Sequence, residues 1–172
     1  MSTAEHRPGT AERHPGTGER RHTPPGAVSR PALPSAEPMR KEIVTPPGLA
    51  EPRGFNHGVA VEGGELLFLA GQDASGPDGE IVAPGDIVGQ FEQVMDNLAA
   101  VVEEAGGSSE DIVKLNVYVA DRDDYRDHLE ELGAVFGRYV DDYPAMALFE
   151  VTAFFQADAL VELEGFAVVD EG

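Results

Sequence analysis

Two carboxylates two residues apart, Glu162 and Glu164, lie in the alternating run Val161-Glu-Leu-Glu164. A strand puts both on one face at about 7 Å, where burial and mutual repulsion can raise one pKa enough for general acid/base work on a bound water. The competing reading is a polar edge on a solvated sheet face, and composition favours it for both residues in so acidic a chain. Other reactive groups are few. Cysteine is absent, which removes disulfides, thiolate metal sites and Cys nucleophiles. Lys114 alternates opposite an apolar face and is expected to pair with a neighbouring acid rather than form a Schiff base. His57 opens a β-like run and reads as a structural histidine more readily than as a proton carrier, and His128 sits in a charged, solvated run. Met146 is either a soft pocket wall or ordinary packing. No phosphate loop of the GK[ST] or G-x-G-x-x-G kind occurs, so nothing supports nucleotide binding.

Several elements must position these residues. Two β-like runs, His57 to Val61 and Leu66 to Ala70, flank Glu62-Gly63-Gly64-Glu65, a hairpin signal. A Gly-, Pro- and Asp-rich loop over 73–85 follows. Ile87, Phe91, Val94, Leu98 and Val102 then recur at helical spacing, with Asp86 to cap the start and Gly106-Gly107 to end the helix. The run from Val113 to Val119 reads as a strand with Val113, Leu115, Val117 and Val119 on one face. A second helix is expected through Tyr125, Leu129, Leu132, Phe136 and Tyr139, with Asp121 to Asp124 at its positive end. Two strands, 145–152 and 159–169, close the order ββαβαββ. Right-handed crossovers would put both helices on one side of the sheet. The other side would keep Leu66, Phe68, Leu148, Leu160 and Phe166, or their alternating partners, uncovered, and this predicts a homo-oligomer.

The charge is uneven. The chain of 172 residues carries 12 Lys+Arg against 32 Asp+Glu, a net charge of −20. Residues 1–40 hold six Arg and four Glu, leaving 6 basic and 28 acidic residues, −22, on 41–172. The first 40 residues also repeat loosely as EHRPGTA, ERHPGTG and ERRHTPP, with almost no large apolar side chains. They are expected to be a disordered low-complexity tail, with His6, His14 and His22 as polar linker residues rather than a metal site. The domain is expected to span 41–172. Its charge disfavours nucleic acid and anionic membrane surfaces. No apolar run approaches the roughly 18 residues of a membrane span, and no signal segment is evident, so a soluble, cytoplasmic protein is expected. Acid-rich, Lys-poor composition also predicts a halophilic source.

The stretches Gln90 to Leu98, Val102 to Gly106, Asp111 to Lys114 and Val117 to Asp121 resemble the RidA family, the reactive-intermediate (enamine/imine) deaminases. Leu69-Ala-Gly-Gln72, Tyr143-Pro-Ala145 and Val161 to Glu164 share the resemblance, which runs from about Lys41 to Val169. It implies an α+β, chorismate-mutase-like ββαβαββ single domain, with one mixed sheet and two helices on one face. It also implies a homotrimer with ligand clefts between subunits, and hydrolysis of small imines or enamines with no metal or organic cofactor.

The resemblance further implies a site at Phe55, Ala70, Gly71, Leu129, Met146, Leu148 and Glu162. Glu162 would orient the water. The family's carboxylate-clamping Arg is Met146 here, its hydroxyl is Ala70, its helix amide is Leu129 and its Tyr is Phe55. Main-chain groups of Gly71 and Leu148 would line the pocket. With no Lys or Arg nearby in sequence to replace the clamp, the expectation is an altered specificity, toward substrates without a carboxylate or with an apolar body. A noncatalytic small-ligand-binding or chaperone-like trimer of the same fold is the alternative. A ribonuclease reading fits the charge least.

Overall fold

A computed structural model of the chain describes residues 39–170. Six strands run in chain order: β1 Arg40–Val44, β2 Gly58–Glu62, β3 Glu65–Gln72, β4 Ile112–Val119, β5 Ala145–Glu150 and β6 Val161–Val169. Three helices, α1 Ile87–Glu104, α2 Arg122–Asp127 and α3 Leu129–Phe136, and a 3-10 turn, Ser109–Asp111, complete the domain. The strands β3-β6-β4-β5 form a mixed sheet, antiparallel except for the β4–β5 pair, and β1-β2 form a separate antiparallel pair. The domain is α+β, as expected. Among the described residues, no helix is long and apolar enough to cross a membrane.

Two sheets instead of one is a correction. Gly63 and Gly64 do reverse the chain, both at positive φ (77° and 76°), a conformation that costs glycine little. Gly64 backs onto Val168 and the Val169 carbonyl, so β3 leaves the turn already committed to β6. The hydrogen-bonding partner of β2 is instead β1, paired in register from Arg40↔Glu62 to Val44↔Gly58. β1 was not foreseen. The expected tail, 1–40, lies outside the described residues except for Met39 and Arg40, and Arg40 opens β1.

α1 forms as its sequence dictates. Asp86 accepts from the Val88 and Gly89 amides at 3.1 Å, and the far end closes with Gly106 at φ 93° and a Gly107 amide bond to Val102. Its apolar stripe buries Phe91, Val94, Met95 and Leu98 against Leu115, Val117, Val161 and Leu163 of the sheet. α1 packs on β3 and β6 with α3 alongside, so the helices share one face.

The second helix differs from expectation in two places: it breaks at His128, and it ends at Phe136, leaving Tyr139 in the turn beyond. His128 departs from helical geometry (φ −108°, ψ 19°), and its Nδ1 engages the Asp124 carbonyl at 2.9 Å, splitting the helix into α2 and α3. Asp121 caps α2 through the Asp123 and Asp124 amides, which fits the acidic turn. In β4 a bulge between Ile112 and Lys114 shifts the register, so Ile112, rather than Val113, joins Leu115, Val117 and Val119 in the core.

Gln90 is the one fully buried polar side chain among the described residues. Its Nε2 donates to the Asp158 carbonyl at 2.9 Å, and its Oε1 accepts from the Leu160 amide at 2.7 Å. It thereby fixes the approach to β6, the strand that carries Glu162. Gln90→Leu keeps the shape but orphans both main-chain groups, and is expected to cost about 2–4 kcal/mol. Urea denaturation measures the loss, and an unchanged midpoint would show that the loop is held by other contacts.

Candidate functional site

β6 alternates: Val161, Leu163 and Gly165 face the helices, and Glu162, Glu164 and Phe166 face the side without helices. Glu162 lies directly over Gly71, where any Cβ would collide with its carboxylate. A side chain at this position would displace the Glu162 carboxylate from where it now sits. Burial raises the Glu162 pKa above the ordinary carboxylate value, and the charges of Asp73 and Glu164 raise it further. Gly71, Asp73, Ser75, Asn97 and Glu162 line an open cavity of about 560 Å3 that Phe155, fully exposed, also borders. Asn97 holds the loop in place by donating to the Asp73 and Ser75 carbonyls, both at 3.0 Å.

The neighbouring carboxylate is shifted the other way. Glu164 accepts from the Tyr118 hydroxyl at 2.5 Å and from Asn116 at 3.3 Å, and these bonds hold its pKa below the usual range. The two carboxylates are therefore shifted in opposite directions, Glu162 upward and Glu164 downward, the kind of difference in environment that can separate acid and base roles. Among the described residues Lys114 forms no ion pair, contrary to expectation. Its Nζ donates to the Leu115 carbonyl at 2.7 Å and to Asn116 Oδ1, and burial lowers its pKa against the opposing pull of Glu164. His57 is structural, with Nε2 at 2.7 Å from the Ala50 carbonyl and its ring edge-on to Phe55.

Met146 and Leu148 lie on the other side of the sheet. In the β4–β5 register they pair with Leu115 and Val117, both core residues, while Phe149 pairs with Tyr118 on the open side. This corrects the expectation that Leu148 belongs to the uncovered face; Leu66, Phe68 and Phe166 do belong to it. Met146, Leu148, Leu129 and Phe55 line a half-enclosed apolar cavity of about 250 Å3 between β5 and the α2–α3 pair. Aromatic rings form its floor, with Phe136 stacked on Tyr143 at 4.9 Å. The Tyr125 hydroxyl is pushed up to about 12 by burial, so it stays neutral at any ordinary pH.

The candidate residues thus form two groups on opposite faces of one sheet: Ala70, Gly71 and Glu162 on one, and Phe55, Leu129, Met146 and Leu148 on the other. Sequence reasoning missed Asn97 and Gln93, four apart on α1 and mutually bonded at 2.9 Å. It also missed Arg53, which lines the Met146 cavity although 93 positions away along the chain. The signal for Arg53 was its place two residues before Phe55. Among the described residues, no group of three or more His, Asp or Glu is arranged to hold a metal.

Comparison with known proteins matches residues 49–169 to the family described as Endoribonuclease L-PSP. A RutC family protein of Pyrococcus abyssi is 33% identical over 129 residues, covering 75% of this chain and 98% of its own. The 2-iminobutanoate/2-iminopropanoate deaminase of Escherichia coli is 34% identical over 131 residues, covering 76% and 98%. Among solved structures, a Rid-family protein of unknown function from Yersinia pestis superposes with a TM-score of 0.66 at 29% identity, over 75% of this chain and 98% of that one. The match to the family model spans most of the chain and the two curated relatives are covered almost end to end, so the chain belongs to the Endoribonuclease L-PSP family, that of the RutC and RidA proteins.

Proposed function

We propose that the protein is a homotrimeric, deaminase-like hydrolase of small reactive imines or enamines, with a specificity altered by Met146. The observation that carries this reading is Glu162, a carboxylate with a raised pKa, seated over Gly71 in an open cavity. Such a group takes a proton from water as the water oxygen adds to the electrophilic C=N carbon, and returns it to the nitrogen. The resulting aminoalcohol loses ammonia as its hydroxyl proton passes to nitrogen, so C=NH and H2O become C=O and NH3 without a redox partner.

A trimer accounts for the split site. Within one chain, Glu162 and Met146 are on opposite faces of the sheet, so one copy's Glu162 must meet another copy's Met146 cavity for both groups to act on one substrate. The uncovered apolar face supplies a surface for that contact.

The apolar lining at Met146 gives the noncatalytic ligand-binding reading its support. An endoribonuclease is disfavoured by the 6 basic and 28 acidic residues of 41–172, since nucleic-acid affinity rests on phosphate neutralisation.

The deciding assay follows 2-oxobutanoate and ammonia release from freshly generated 2-iminobutanoate. The wild type is expected to act slowly, and Met146→Arg to gain at least about tenfold in kcat/KM, because a bidentate carboxylate contact contributes roughly 1.5–3 kcal/mol per charge-assisted bond. A folded Met146→Arg with no gain would remove the specificity argument. Inactivity of both proteins on every imine and enamine tried would favour the binding protein.

A further inference from the structure

Seven Lys and Arg side chains fall within the described residues, and six of them are engaged. Arg40 pairs with Glu62, Arg122 and Arg126 with Asp123, and Arg138 with Glu92. Lys41 donates to the Glu110 carbonyl, and Lys114 to Leu115 and Asn116. Arg53 alone has neither an ion-pair nor a hydrogen-bond partner among the described residues. Where acids outnumber bases more than four to one on 41–172, an arginine left without a carboxylate stands out.

Its position is equally specific. Arg53 is the one charged side chain lining the apolar cavity of Phe55, Leu129, Met146 and Leu148, and it is exposed. An apolar, largely preformed cavity with a few polar groups, here one of them charged, is the usual form of a small-ligand site. A guanidinium offers such a site a forked pair of donors matched to a planar oxyanion.

We infer that Arg53 is the anion anchor of this cavity, and that the ligand is a small carboxylate with an apolar body. The inference rests on reading the cavity as the ligand site of the proposed function. It places the carboxylate at Arg53, between β1 and β2, and the apolar body against Met146 on β5. This orientation is reversed from that of a ligand whose carboxylate is clamped at the Met146 position. The volume of about 250 Å3 lies below the roughly 300–1,000 Å3 of drug-sized sites, so the body is no larger than about one ring or a short branched chain.

The test compares phenylacetate with the isosteric neutral phenylacetamide, by calorimetry on the full chain. The wild type is expected to prefer the carboxylate by about tenfold. Arg53→Gln is expected to abolish that preference by weakening phenylacetate binding far more than phenylacetamide binding, and Arg53→Lys to keep part of it, because a point charge lacks the fork. An exposed residue with no partner is not needed for folding, and circular dichroism confirms this for each variant. Equal affinity for both probes in the wild type, or a preference surviving Arg53→Gln, overturns the anchor while leaving the cavity as a ligand site. Failure of both probes to bind the wild type overturns the ligand-site reading and the anchor with it.

Discussion

Glu162→Gln is expected to lower imine hydrolysis by at least about a hundredfold without lowering thermal stability. General acid/base groups contribute roughly 10²–10⁴ in rate, and glutamine keeps the shape while losing the proton acceptor. The stability half of the prediction follows from the electrostatics. Burial, Asp73 and Glu164 all disfavour the ionised form, so the folded-state pKa of Glu162 lies above that of the unfolded chain. Between the two values the folded protein holds the extra proton. Stability from this group is therefore full below the unfolded pKa and is lost as pH rises through the folded one. Above the folded-state value the wild type carries a charge its site disfavours, and Gln removes it. Melting temperature against pH should accordingly fall for the wild type relative to Glu162→Gln as pH climbs out of the acidic range. Hydrolysis by the wild type should rise over that same interval, since the base form does the work. A Gln variant that keeps its rate would move catalysis elsewhere, and one that melts well below the wild type would make Glu162 a structural residue.

The elements whose sequences contain both a periodic stripe and its stop signals were legible. α1 formed between Asp86 and Gly106 because cap, stripe and terminator all agree over one continuous segment. The misread features depend on contacts between distant segments. The bulge after Ile112 is set by how β4 meets β6, and the break at His128 by a single side chain turning back on its own backbone. β1 was missed because RKEIV carries charge at three of five positions and gains order only by pairing with β2.

The same distinction applies to the site. Glu162 was legible because a strand alternation names its face, whereas its partner Asp73 arrives from a loop pinned by Asn97. Leu148 was assigned to the wrong face because the phase of β5 is set by its register with β4, and the apolar run Ala145 to Phe149 has no polar alternation to reveal it. Arg53 lies far from Met146 in sequence, and only the path of the chain between β1 and β2 makes them walls of one cavity.

Phe68→Asp is expected to convert the proposed trimer to monomers and, with it, to abolish the proposed hydrolysis. Phe68 is 70% exposed on the face without helices, its ring set edge-on to Phe166 at 5.2 Å, with Leu66 also exposed beside it on β3. Burying a side chain of this kind is worth about 1.5–3 kcal/mol, and each copy in a closed ring would bury its own. An aspartate reverses that gain and adds a carboxylate to a face that already carries Glu162 and Glu164. The core lies on the opposite side of the sheet, so the monomer should keep its circular dichroism spectrum. Loss of activity then follows from geometry alone, since a single chain keeps Glu162 and the Met146 cavity on opposite faces and no motion within an intact sheet can bring them together. Phe68→Leu, which preserves apolar area, should retain both the assembly and the rate. Light scattering at micromolar concentration reads the first effect and the imine assay the second. An assembled Phe68→Asp, a wild type that is itself monomeric, or a monomer that still turns over substrate would each break the link between assembly and chemistry.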